Sequence, residues 1–428
     1  MVSESGKKLI GLSSFEMLAM FRRGLFYAYL TIYLRHYLGL SVTATTLFAT
    51  LPMVVNVLSQ NFIWGRISDY FQIRRSLIVA GEITAAVCTV GVWYLHRLPA
   101  SPVAAGYIII AGLTTVEFFW SMSNISWSAL ISDLYPEKER SSVQGRLASM
   151  GGLGRIVGIW MGGLFYDGLR LHYAGWGFYQ GHLFFMAAAV MLVSVLPLFL
   201  LPEGGVNVNC DRSSTPSSKI PIHASTTELR RYLIFLAGMT LINFGRNSIA
   251  IIFPQYLSAS AGLHLDSRTL SYILNTQSVA MVCIGWMVGR LCQKMGLGHA
   301  LLAGTSAAIT ALVLLWATPA LPAIFFSSFL RGVADVVILA SAYAAASIYI
   351  PAAKRARRFA WFNATFFLSW GLPGTMIIGP LVDYLIATGL SEPHAYRFSF
   401  LVAAVMTSLG LVIQVVLLFG KKAAPGDG

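Results

Sequence analysis

Long apolar stretches separated by short polar breaks run the length of the chain. Runs of about twenty residues lie at 15–37, 44–65, 76–95, 103–131, 142–166, 178–201, 232–257, 269–291, 299–319, 322–350, 359–387 and 395–419. At 1.5 Å per residue, about twenty residues cross the ~30 Å hydrocarbon core of a bilayer, so each run predicts a spanning helix. The ten-residue alternating segments of a transmembrane β-barrel do not occur. The first run lacks a short apolar region followed by a small-residue cleavage site, which predicts a retained helix. Residues 202–229 form the one long polar stretch. Rich in Pro, Ser and Thr, it reads as a flexible linker. It divides the chain into an N-terminal half (1–201) and a C-terminal half (230–420), with a polar tail at 421–428. The expected fold class is an all-α membrane protein of twelve helices in two six-helix halves.

Composition supports this reading. Of 428 residues, 56% are hydrophobic and only 11% are charged, against about 25% charged in a soluble domain. That excludes a purely water-soluble or disordered chain. The four cysteines form no CxxC and read as small apolar filler. The formal charge of +13 reflects topology rather than a nucleic-acid partner. With the N-terminus placed in the cytoplasm, twenty Lys and Arg fall on the cytoplasmic side, five on the other, and five within helices. The bias predicts cytoplasmic termini and a basic surface suited to anionic lipid.

The two halves repeat. Phe21, Arg23, Tyr33 and Leu34 fall on Phe244, Arg246, Tyr256 and Leu257 at a constant offset of 223. GRISDYFQIRRSLI at 65–78 falls on GRLCQKMGLGHALL at 289–302, and Pro136–Asp167 resembles Pro351–Asp383. Three matches in order, at offsets between 215 and 224, indicate a duplicated unit. Parallel halves around a midplane cavity are a transporter architecture.

At these residues the chain resembles the major facilitator superfamily of secondary transporters over nearly its whole length. The loop GRISDYFQIRR is similar to that family's signature loop: Gly65, Asp69, Arg74 and Arg75 fit it, while Gln72 stands where a glycine is usual. The resemblance implies that Asp69 and its basic neighbours stabilise an outward-facing state by contacts between the halves. The same charges also obey the positive-inside rule. In GRIVGIWMGG, Gly154, Gly158 and Gly162 share one helix face and predict close helix packing. The family associates this stretch with exchangers, but Ile159 replaces the usual proline, so antiport stays open. The opening residues and layout are similar to magnetosome-membrane members of the superfamily. That implies a bacterial inner or magnetosome membrane and iron handling in magnetite formation, although no iron motif is visible.

Charges inside the apolar runs are costly, about 2.5–3.5 kcal/mol each at a helix centre on insertion scales, and usually face a wet interior. Those read as lying deep in the membrane are Arg22, Arg23, Glu82, Glu117, Arg155, Arg246, Arg331 and Asp335. The resemblance implies that helices 1, 4, 7 and 10 line the cavity, and six of these eight charges lie there. Arg23 and Arg246, equivalent under the repeat, are expected to face each other and fork onto a phosphate, carboxylate or similar oxyanion. Arg22, Glu117, Arg331 and Asp335 are the further cargo candidates, with Tyr27, Asn243 and Asn247 beside them. The alternative is neutralisation by neighbours. Arg331 and Asp335, spaced i, i+4, can close on each other, and Glu117 can pair with Arg22, Arg23 or Arg155. Glu117 and Asp335 are the candidate proton carriers. Glu82 is expected to be an interhelical hydrogen-bond partner.

Six of eight histidines map to the non-cytoplasmic side. They read as interfacial loop residues, or else as a cation trap at the outer mouth. No metal site or cofactor is expected. No GxxxxGK[ST] loop occurs, and no soluble domain could hold an active site, so an enzyme is not expected. The sequence therefore predicts a secondary transporter of an anionic small solute or an iron complex, working by alternating access in the bilayer. The rival is a non-transporting receptor or scaffold with membrane-protein partners.

Overall fold

The computed structural model describes residues 4–135, 137–205, 226–349 and 355–419. Most of the expected linker and the tail lie outside these residues. All regular structure among the described residues is helical. The N-terminal half comprises α1 (Glu4–Ile32), α2 (Val42–Ser68), α3 (Arg74–His96), α4 (Pro102–Leu134), α5 (Glu137–Tyr166) and α6 (His182–Leu198). The C-terminal half comprises α7 (Leu229–Ser258), α8 (Ser267–Gly285 and Val288–Met295), α9 (Leu297–Ala317), α10 (Leu321–Tyr349), α11 (Trp361–Trp370 and Gly374–Ala387) and α12 (Glu392–Phe419). Among the described residues, eight helices are long and apolar enough to cross a membrane on their own, and the bent pairs α8 (62°) and α11 (45°) bring the number to ten. The remaining two rods are α6, with 17 residues and hence about 25 Å long, and α1. Glu16, Arg22 and Arg23 make α1 too charged to qualify by composition alone.

The helix starts carry local signals. Ser41 accepts a hydrogen bond from Ala44 N at the head of α2, and Ser101 with Pro102 opens α4. Packing between helices depends on small residues. A Cβ on Gly154 would lie 2.1 Å from Met17 O, one on Gly158 2.0 Å from Phe21 O, and one on Gly162 2.5 Å from Leu25 O. The four-residue spacing of the glycines thus matches that of three α1 carbonyls, and the two backbones touch along the seam.

At the end of the bundle away from the termini, each half holds the start of a helix from the other. The Asp383 carboxylate of α11 accepts from Val42 N and Thr43 N, both at 2.8 Å, at the head of α2. Its repeat equivalent, Asp167, accepts from the Ser267 hydroxyl at the head of α8. A carboxylate there satisfies free N–H groups and complements the helix dipole. Arg35 bridges to Glu392 at 2.8 Å, Thr50 meets Thr375 at 2.7 Å, and Arg170 pairs with Asp266. Burial raises the Asp266 carboxyl, but hydrogen bonds from Thr269 and Arg170 outweigh this and hold it below its ordinary value. A depressed carboxylate contributes stability above its unfolded pKa of about 4 and loses it as pH falls further. Asp383→Ala should remove one seal, worth on the order of 1 kcal/mol, and shift the population several-fold toward opening at this end. Increased thiol labelling of a Thr50→Cys reporter would register that shift, and unchanged labelling would show that the seal is idle.

The loop from α2 to α3 turns at Gln72, whose φ of 54° and ψ of 30° are left-handed. Its repeat equivalent is Gly296, with φ of 79°, so only the second half has the residue that adopts positive φ without a Cβ penalty. Gln72→Gly is expected to stabilise the chain by about 1 kcal/mol, seen as a higher unfolding temperature in detergent. Beside it, Arg74 donates to the Ser68 hydroxyl at 2.6 Å and approaches Asp133 at 3.5 Å. Arg75 donates to Leu201 O at 2.8 Å and pairs with Glu203 at 3.3 Å. These contacts tie the loop to α4 and to the segment that follows α6 within its own half. Gly65 begins the last stretch of α2, where a Cβ would meet Gln60 O at 2.6 Å. The Asp69 side chain lies outside the described residues.

Candidate functional site

In the N-terminal half, the midplane charges of α1 gather around Trp120 of α4. The guanidinium carbons of Arg22 and Arg23 lie 4.4 Å and 4.6 Å from the Trp120 ring centroid, within cation–π range. Trp120 donates its indole N–H to Glu82 at 2.7 Å, and Ser123 donates to the same carboxylate at 2.8 Å. Glu82 therefore accepts from two neutral α4 donors, the interhelical role expected of it, and its bond fixes the ring beneath the arginines. Glu117, on the same helix, accepts from the Asn56 amide of α2, and Gln60 in turn donates to Asn56 at 2.6 Å. Among the described residues Glu117 forms no ion pair with an arginine, the alternative the sequence left open; the Asn56 amide takes the carboxylate. Arg22 is buried at 3% exposure, and its Nη2 has no hydrogen-bond partner.

In the C-terminal half, Arg246 of α7 pairs with Asp335 of α10 and donates from Nε to Asn243 at 3.1 Å. Gln277 of α8 donates to the second Asp335 oxygen at 2.7 Å. The i, i+4 closure of Arg331 on Asp335, the alternative that the spacing left open, is not formed. A Cβ on Gly332 would stand 2.3 Å from Gln277 O, so α8 approaches α10 closely enough for its amide to reach Asp335, and α7 supplies the cation. Arg331 instead lies over Phe253, 4.7 Å from the ring centroid, with Nη1 buried and unpartnered. Arg155 of α5 reaches no carboxylate; its nearest polar contact is Met281 Sδ at 3.9 Å. It lies within electrostatic range of both Arg23 and Asp335, which places it between the halves. Asn247 is tied to Ser369 at 2.7 Å, and Arg22 reaches Tyr27 only at 3.5 Å.

The two clusters are copies. Arg23, Asn56 and Glu117 correspond to Arg246, Gln277 and Asp335 at offsets of 223, 221 and 218. In both, an α2 or α8 amide donates to an α4 or α10 carboxylate. They differ in the arginine: Arg246 is buried and paired, whereas Arg23 is half-buried over Trp120. Arg23 and Arg246 thus do not present equivalent free forks in this state. Asn56, Gln277 and Trp120 were missing from the sequence reading. Their signal was the shared repeat register of amide and acid.

The outer histidines do not converge. His36 Nε2 lies 3.0 Å from Gln255 O, His394 contacts Ser391, and His172 and His182 each stack 4.3 Å from Trp176. Among the described residues no three His, Cys, Asp or Glu side chains could hold a metal ion together. A groove of about 380 Å³ on α7, lined by Leu229, Arg230, Leu233, Ile234 and Ala237, is away from the arginines.

The sequence model of the Major Facilitator Superfamily matches residues 12–297 and 234–427. The chain belongs to that superfamily and is a membrane transporter of a small solute, not an enzyme. No curated protein sequence matches it. Among solved structures, it is similar to a bacterial homolog of the human lysosomal transporter Spinster, inward-facing and unoccupied, with TM-score 0.70, 16% identity and 98% of each chain covered. It is also similar to the nucleoside transporter NupG, with TM-score 0.71, 13% identity and coverage of 96% and 99%. A third neighbour is a POT family transporter in complex with a thioalcohol-conjugated peptide, with TM-score 0.68, 12% identity and coverage of 95% and 96%.

Proposed function

We propose that this protein is a secondary active transporter that carries a small anionic solute between its two halves by alternating access. The observation that carries this reading is the excess of midplane guanidinium: Arg22, Arg23, Arg155 and Arg331 have no carboxylate within ion-pair distance among the described residues. Uncompensated cations inside a bilayer protein are costly unless water or an anion reaches them. An oxyanion takes several charge-assisted hydrogen bonds from such forks. Arg246 joins the site when the cargo displaces Asp335 from it, and the repeat makes Arg23 its counterpart.

With both termini in the cytoplasm of a bacterial inner membrane, the sealed end faces outward and the cargo enters and leaves from the cytoplasmic side in this state. Binding neutralises the site and lowers the cost of closing the halves around it. Breaking the Asp167 and Asp383 seals then opens the other side. Gradients drive the cycle, at about 2.3 kcal/mol per charge per 100 mV, with Glu117 and Asp335 as the candidate proton carriers. The positive site disfavours a bare iron cation; iron, as in a magnetosome membrane, would travel as an anionic chelate.

Uptake into proteoliposomes tests this with organic anions, phosphate, ferrous iron and ferric citrate, with and without a pH gradient. Saturable anion uptake is expected, with none for ferrous iron. Failure of every anion, with other membrane proteins co-purifying, would favour a scaffold.

A further inference from the structure

Five guanidinium groups, Arg22, Arg23, Arg155, Arg246 and Arg331, stand against four carboxylates, Glu16, Glu82, Glu117 and Asp335, with Glu16 on α1 within electrostatic range of Arg23. The other three already have their partners: Glu82 has Trp120 and Ser123, Glu117 has Asn56, and Asp335 has Arg246 and Gln277. With every group charged, one positive charge remains, and any carboxylate that takes up a proton adds to it. The unpartnered donors are divided between the halves. Among the described residues, two buried guanidinium nitrogens have no hydrogen-bond partner, Arg22 Nη2 on α1 and Arg331 Nη1 on α10. Both guanidinium groups lie on aromatic rings, Trp120 and Phe253. A guanidinium within cation–π range of a ring is attracted to it and still carries N–H groups that can donate to an oxyanion, here the unpartnered Nη2 of Arg22 and Nη1 of Arg331.

We infer that the cargo is a small divalent anion that bridges the halves. Anionic oxygens on one side of it take N–H groups of Arg22 and Arg23 beside Trp120, and those on the other take Arg331 beside Phe253, with Arg155 between them. This rests on the anion-transport reading and adds the valence and the two anchoring points. A monovalent anion satisfies one orphaned donor and leaves the other half-site positive. A divalent anion satisfies both donors, which also couples occupancy to approach of the halves. Dicarboxylates, phosphate monoesters and sulfate share this chemistry.

The test is thermal stabilisation of the purified full chain by matched pairs of anions: succinate against butyrate, glycerol phosphate against its methyl diester, and sulfate against nitrate. Wild type is expected to bind at least one divalent member about tenfold or more tightly than its monovalent partner, the worth of one further charge-assisted contact. Arg22→Gln and Arg331→Gln should each abolish that preference while still binding the monovalent member. Because the readout is a ratio within one protein, loss of stability does not imitate it, and Arg331→Lys provides a charge-conserving control that keeps the preference for divalent anions. Equal binding of both valences by wild type would overturn the inference and leave anion transport standing. No stabilisation by any anion would overturn both.

Discussion

Arg246→Gln is expected to impair stability and transport together, and the double variant with Asp335→Asn to separate the two losses. Arg246 is 7% exposed, paired with Asp335 and bonded to Asn243. Removing it strands a carboxylate held by Gln277 alone, and losing one member of a buried pair costs about 3–5 kcal/mol. Asp335→Asn removes the stranded charge, so most of the stability should return. Uptake should not return, because the neutral pair offers the cargo no cation on α7. Unfolding in detergent and uptake in proteoliposomes check the two halves of this prediction. A double variant that transports at the wild-type rate would make the pair purely structural.

Gly158→Val should be the most damaging single change to the fold. Its Cβ would sit 2.0 Å from Phe21 O, with Leu25 N at 3.0 Å, and backbone atoms cannot swing aside as a flexible side chain can. The valine must push α1 from α5, and overpacking of that kind costs about 1–3 kcal/mol or more. Because Arg22 and Arg23 follow Phe21 directly, the displacement also moves the cationic face off Trp120. Lower yield of folded protein and a lower unfolding temperature are expected, with Gly91→Val, where nothing lies within 4 Å, as the tolerant control.

Much of this architecture is legible in the chain. Apolar runs of helical length, the Lys and Arg bias and the three repeat matches lead to twelve helices in two halves. The glycine spacing in α5 predicts a close seam, and the seam is found against α1. What is not legible is rotation about each helix axis. Arg331 and Asp335 share a face by spacing, yet Gly332 brings Gln277 to Asp335 and the partner cation comes from α7, more than eighty residues away. Glu117 offers the same lesson: its partner is an amide inside an apolar run, where Asn56 carries no visible charge. The 62° bend of α8 near Trp286 also has no clear mark within an unbroken apolar run. Gln72, by contrast, was visible as a departure from the family pattern, and its left-handed backbone shows why that pattern has a glycine.

The central claim is that unpaired arginines of both halves bind one anion, and it is tested most directly by removing one from each. Arg23→Gln and Arg331→Gln are compared with wild type for uptake of an anion that wild type accumulates, and for unfolding temperature. Each variant should lose at least about tenfold in uptake while unfolding at the same or a higher temperature, because each removes a cation that forms no ion pair with a carboxylate among the described residues. Wild-type uptake in either variant, or a fall in unfolding temperature that accounts for the loss, would contradict the account.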